Sequence, residues 1–89
     1  MSELYSMDIM AVRNFATQLN TKADEIDSIS NMLTQLLDGA TWTGPDATQF
    51  RSDWSGTHRA QLHQVSTALR DASQRANTNV QQQVDASSH

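Results

Sequence analysis

The residues that break helices are pooled in one place. Gly39, Gly44 and Pro45 fall together near the middle of an 89-residue chain, and only Gly56 stands elsewhere. Glycine and proline punctuate regular structure more strongly than any other residues, so this distribution predicts two long elements joined by one turn. The length is that of a single domain, and a short one. At or below about 70–80 residues a lone core supplies only a few kcal/mol. The chain has no Cys, which excludes disulfide-stapled and cysteine–zinc scaffolds. Its formal charge of -4 argues against general binding to nucleic acid or to anionic membrane. The longest apolar run is Ile9-Met10-Ala11-Val12, far below the roughly 20 residues that span a bilayer and shorter than a signal-peptide core. No membrane span is expected, and any export is expected to proceed without a cleaved signal peptide.

The first arm, over about 7–38, reads as a helix. With Val12 as position a of a heptad, the a positions are Val12, Leu19, Ile26, Leu33 and Ala40, and the d positions are Phe15, Lys22, Ile29 and Leu36. Strand alternation cannot produce that series, whereas a helix with a packing seam does. The e positions Ile9, Ala16, Ala23, Ser30 and Leu37 are mostly apolar as well, and Met32 adds to the stripe at g. An a/d/e face is wider than one partner helix covers and suits a bundle of several. Asp8 is placed in the first turn, where it complements the helix dipole. Gly39 is placed as a left-handed cap at the end.

The turn, 39–45, holds Thr41, Trp42 and Thr43 between its two glycines. Thr43 or Gly44 is suited to cap the second helix, Pro45 to its first position, and Thr43 with Asp46 has the spacing of a capping box. An indole in so short a loop has two compatible uses: a lid over the end of the hairpin core, or a recognition surface offering a large apolar ring and one N–H.

The second arm, over about 46–84, carries Ala47, Phe50, Trp54, Leu62, Val65, Leu69, Ala72, Ala76, Val80 and Val84 at helical spacing, with His58 filling the gap. Gly56 costs this helix up to about 1 kcal/mol relative to Ala, and close approach of another backbone would give it a reason. Residues 85–89 carry no pattern and are expected to fray.

The fold class expected is therefore all-α: an antiparallel two-helix hairpin. A hairpin has one mutual seam, so the wide stripe of the first arm is expected to leave apolar surface over, and surface of that kind usually marks an interaction site. A second hairpin would cover it in a four-helix bundle. The interface residues expected are Val12, Phe15, Leu19, Ile26, Ile29, Leu33 and Leu36 of the first arm and Phe50, Trp54, Leu62, Val65 and Leu69 of the second. Residues 1–44 hold six acids and two bases, and 45–89 hold four of each. Pairing centred on Thr43 sets Asp27 opposite Arg59 and Arg13 near Asp71, contacts that contribute at most about 1 kcal/mol each when exposed.

No catalytic, metal or cofactor site is expected. His58 and His63 are five residues apart, about 140° around a helix, so they do not share a face as a zinc pair would. No glycine-rich phosphate loop is present, and a hairpin offers no deep cleft.

One local pattern is more specific. Trp42-Thr43-Gly44 lies at the midpoint between two amphipathic helices and is followed by Pro45-Asp46-Ala47, Phe50 and Trp54. Over about 7–84 the chain resembles the WXG-hundred family, the ESAT-six-like small proteins of type VII secretion. Trp54-Ser55-Gly56 is a second copy of the tripeptide, but the central copy matches the family's turn, and Trp54 matches the aromatic that members often carry in the second helix. The resemblance implies a hairpin that forms a homodimer, or a heterodimer with another WXG-type protein. It implies export of the folded bundle by a membrane ATPase in Gram-positive and actinobacterial species, with Trp42 and Gly44 forming part of the export signal. The family's tail signal, Tyr-x-x-x-Asp/Glu, does not carry over, because Gln81 stands where Asp85 would require Tyr. A second function compatible with the same stripe is that of an intracellular adaptor pairing with the N-terminal hairpin of a larger cargo or toxin.

Overall fold

The computed structural model describes residues 2–87, with side chains described over 9–87. Two helical arms lie antiparallel in a rod of 66 × 16 × 14 Å. The first arm is a single helix, α1, Ser2–Gly39. The second comprises α2, Pro45–Asp53, a π-helical turn, Trp54–His58, and α3, Arg59–Ser87. The described residues contain no strand. The first arm begins earlier than its periodicity indicates, so Asp8 lies past the first turn. The second stays helical through Ser87, where fraying was expected; the rest of the expected tail, Ser88 and His89, lies outside the described residues.

The joint is built differently from its sequence expectation. Gly39 keeps a negative φ, and the left-handed glycine is Gly44, at φ 116°. Gly44 is the residue before α2 and Pro45 occupies the first helical position. No side chain caps α2, so the Thr43–Asp46 capping box does not form. The Thr48 N–H donates to the Gly44 carbonyl at 3.0 Å and starts the helical ladder.

The seam between the arms is made of small residues. Ala16, Ala23 and Ser30, spaced by seven on α1, are buried, as are Ala47, Trp54, Ser66, Ser73 and Val80 of the second arm. In heptad terms the buried column is e. Column a is half-buried at Val12, Leu19 and Ile26, and column d is exposed at Phe15 and Ile29. Small side chains win the seam because they let two backbones approach. Ser73 uses that approach: its hydroxyl donates to the Ala16 carbonyl at 2.7 Å inside the seam. Each buried methyl-sized group contributes only about 0.8 kcal/mol, so closing this seam stabilises the hairpin modestly.

The π turn keeps the second arm's seam continuous. From Trp54 to Ser66 an unbroken α-helix would rotate about 1,200°, leaving the two residues about 120° apart. A π turn absorbs one extra residue, so the rotation is that of eleven α residues, about 1,100°, or three turns and about 20°. Trp54 and Ser66 thus share the buried line. The expected close approach at Gly56 is absent within the hairpin, where a Cβ built there meets nothing within 4 Å. His58, expected in the apolar stripe, is exposed and lies about 80° from Ser66 on the side of Leu62, Leu69 and Val65.

Cross-arm contacts follow a register slightly beyond the one centred on Thr43. Thr34 meets Trp54 and Asn31 meets Arg59, because the chain turns into α2 at Gly44. Arg59 therefore bonds Asn31 rather than Asp27, and Asp71 pairs with Arg75 on its own helix rather than with Arg13. Asp27 is taken by Arg70, which also reaches Asp24, at 2.8 and 2.7 Å respectively. Helical side chains tilt toward their own N-terminus, so Arg70 leans toward the turn and the two aspartates lean away from it, and they meet.

Candidate functional site

On both arms most of the large apolar residues lie on the same angular side of the small seam; Met10, 68% exposed, stands on the other. Columns a and d are about 40° and 100° to one side of e on α1. Leu62, Leu69 and Val65 are about 40°, 60° and 100° to the same side of Ser66. Because the arms run antiparallel, equal rotation carries both sets to one face of the rod. The opposite face is polar: one groove is lined by Asp27, Asn31, Ser55, Arg59 and His63, and a second by Asn20, Arg70, Gln74, Asn77 and Gln81. The hairpin is a two-faced ribbon.

Of the residues expected at an interface, Phe15, Ile29, Leu33, Leu36, Phe50 and Val65 are exposed on the apolar side, Leu36 at 66% and Phe15 at 55%. Val12, Leu19, Ile26, Leu62 and Leu69 are half-buried at its base. Trp54 is a correction: it is only 8% exposed and belongs to the hairpin's interior. Its indole N–H donates to Thr34 Oγ1 at 3.0 Å, and Thr34 in turn donates to the Ser30 carbonyl at 2.9 Å. A buried indole needs such a partner. Toward the turn the apolar face deepens into a depression of about 260 Å³ lined by Leu33, Leu36, Leu37, Ala40, Phe50 and Trp54.

Trp42 and Gly44 sit on the connection between the arms. Trp42 is 47% exposed, and its ring leans on Phe50 with centroids 6.2 Å apart and planes at 50°, a tilted aromatic pair. Of its two expected uses, lid and recognition surface, this exposure leaves the ring accessible. Gly44 holds a backbone conformation in which a Cβ would be strained.

Arg51 was not singled out by sequence reading. Its Nε and Nη2 donate to the Leu37 carbonyl at 3.2 and 3.1 Å, Nη2 also to Ala40 at 3.2 Å, and Nη1 to Trp42 at 2.8 Å. Leu37 is among the last residues of α1, whose terminal carbonyls lack intrahelical partners. With Gly39 not left-handed, a guanidinium from the other arm caps the helix instead, and its charge suits the negative end of the dipole. The signal available in the sequence was a base one helical turn beyond Ala47, within reach of a helix end that lacks a capping base of its own.

On the polar face the Asp27 carboxyl is held below its ordinary value, first by the Ser66 hydroxyl and then by Arg70. The Ser66 hydroxyl also lies 3.0 Å from the His63 carbonyl, and the Arg70 guanidinium bonds Asp27 directly at 2.8 Å. Arg70 is correspondingly raised by hydrogen bonds to Asp24 and Asp27. Among the described residues no group of three or more His, Asp or Glu could hold a metal ion, and no helix is long and apolar enough to cross a membrane. Comparison with family models, with curated proteins and with solved structures finds no match to this chain.

Proposed function

We propose that this chain is a small partner protein of a type VII secretion system, exported as a dimeric four-helix bundle, with the connection bearing Trp42 and Gly44 contributing to recognition by the secretion ATPase. The observation that carries the reading is the division of labour between small and large apolar residues. Alanine and serine close the hairpin, and Phe15, Ile29, Leu33, Leu36, Phe50 and Val65 remain uncovered on one face. The accessible surface is 6690 Å², against about 5,200 Å² for a typical folded monomer of this mass. The excess is larger than the roughly 800 Å² per partner that a standard interface removes. The Trp-x-Gly resemblance supplies the link to secretion, and the half-exposed ring of Trp42 is compatible with it. The polar face, crossed by the Arg70–Asp24–Asp27 cluster, is the side left to solvent in such a bundle.

Sedimentation at micromolar concentration, alone and mixed with the product of the adjacent gene, tests the assembly. A homodimer or a one-to-one complex is expected, and Leu36→Asp, which places a charge on an already exposed position, should abolish it without unfolding the hairpin. A stable monomer in both conditions would sink the proposal. Pairing only with a larger helical cargo would favour the adaptor reading. Export is tested separately: Trp42→Ala should retain the chain in cells, and normal secretion of that variant would remove Trp42 from recognition.

A further inference from the structure

We propose that Arg51 is the positioning residue that presents Trp42. The inference rests on the reading of Trp42 as a recognition residue and adds the device that sets its place. The connection has little of its own to hold it. Among the described residues one backbone–backbone bond forms outside the helical ladders, Thr48 to Gly44, and it lies beyond Trp42. The stretch over 40–42 is held instead by the second arm. Phe50 meets the Trp42 ring, and its chain neighbour Arg51 bonds the Trp42 carbonyl at 2.8 Å while spanning back to Ala40 and Leu37. All three guanidinium nitrogens are engaged. One side chain therefore ties the end of α1, the loop backbone and the Trp42 peptide into one unit and leaves the indole half-exposed. Lysine substitutes only in part, because an ammonium is a point donor and lacks the planar fork that reaches three carbonyls at once. A clamp needed only to stop α1 could end on Leu37 and Ala40; its shortest bond goes to Trp42.

The test uses the full chain carrying Trp54→Phe, so that Trp42 is the single tryptophan. Arg51→Met, of similar length and without donors, and Arg51→Lys are compared by acrylamide quenching and fluorescence anisotropy of Trp42, by circular dichroism and sedimentation, and by secretion. Assembly should be unchanged, and helicity should fall by no more than the last turn of α1, whose carbonyls Arg51 also caps. Quenching should rise about twofold and anisotropy fall as the ring gains fast local motion, and secretion should drop to the level of Trp42→Ala, with Arg51→Lys intermediate. Should Arg51→Met fail to fold, Arg51→Lys carries the same comparison. Unchanged quenching and anisotropy would overturn the clamp. A loosened Trp42 with undiminished secretion, where Trp42→Ala blocks it, would overturn its role in recognition. Normal secretion of Trp42→Ala itself would sink the reading of Trp42 and with it the presenting role, while the optical measurements would still decide the clamp.

Discussion

The indole N–H of Trp54 donates to Thr34 Oγ1 at 3.0 Å across the two arms, and the same hydroxyl donates to the Ser30 carbonyl. One hydroxyl thus uses its proton along α1 and a lone pair between the helices. Trp54→Phe keeps most of the ring and deletes the cross-arm bond, at an expected cost of about 1 kcal/mol. Trp54→Ala adds a cavity beside Leu37 and should cost about 3–5 kcal/mol. Urea unfolding of the two variants checks the split; equal losses would show that the hydrogen bond, not the ring, holds this end.

The small seam makes a second prediction. Ala23 is fully buried between the arms, so Ala23→Leu forces them apart. An expected loss of about 1–3 kcal/mol distinguishes it from Met32→Leu, on exposed surface, which should be within about 0.5 kcal/mol of the parent. Chemical denaturation reads both.

Asp27 supplies a pH dependence. Its folded pKa is depressed below the ordinary 3.8, so its contribution is fully present above that value and is lost as pH falls through the folded pKa. Arg70 is raised from an already high value and stays charged throughout this range. Thermal melts from pH 6 down to pH 2 should therefore show a steeper acid loss for the parent than for Asp27→Asn. Parallel profiles would show that the Asp27–Arg70 bridge carries no stability.

Gly56 lies in the π turn with negative φ and open space where a Cβ would stand. Gly56→Ala should stabilise the hairpin by about 0.4–1 kcal/mol by reducing the freedom of the unfolded chain. A gain in hairpin stability accompanied by weaker assembly would place a partner's backbone against this turn.

The pooled breakers 39, 44 and 45 and the 3.6-residue periodicity on either side were sufficient to specify two antiparallel helices, because turn chemistry and helical period are properties of neighbours in sequence. The same counting marked a, d and e as one broad apolar stripe, and it listed Phe15, Leu33, Leu36 and Trp54 together. Which column closes the hairpin depends on how near two backbones can come, and that is set by side-chain volume on both arms at once. Ala16, Ala23 and Ser30 share the buried seam with Ser66 and Ser73, and most of the larger residues are turned to the other side. Trp54 joins the buried line only because a π turn removes one residue's rotation, and Arg51 caps α1 only because the fold brings the second arm back across its end. Period and punctuation are local and could be read from the chain. Volume matching, register and the reach of one guanidinium are relations across the hairpin, and only the tertiary structure decided them.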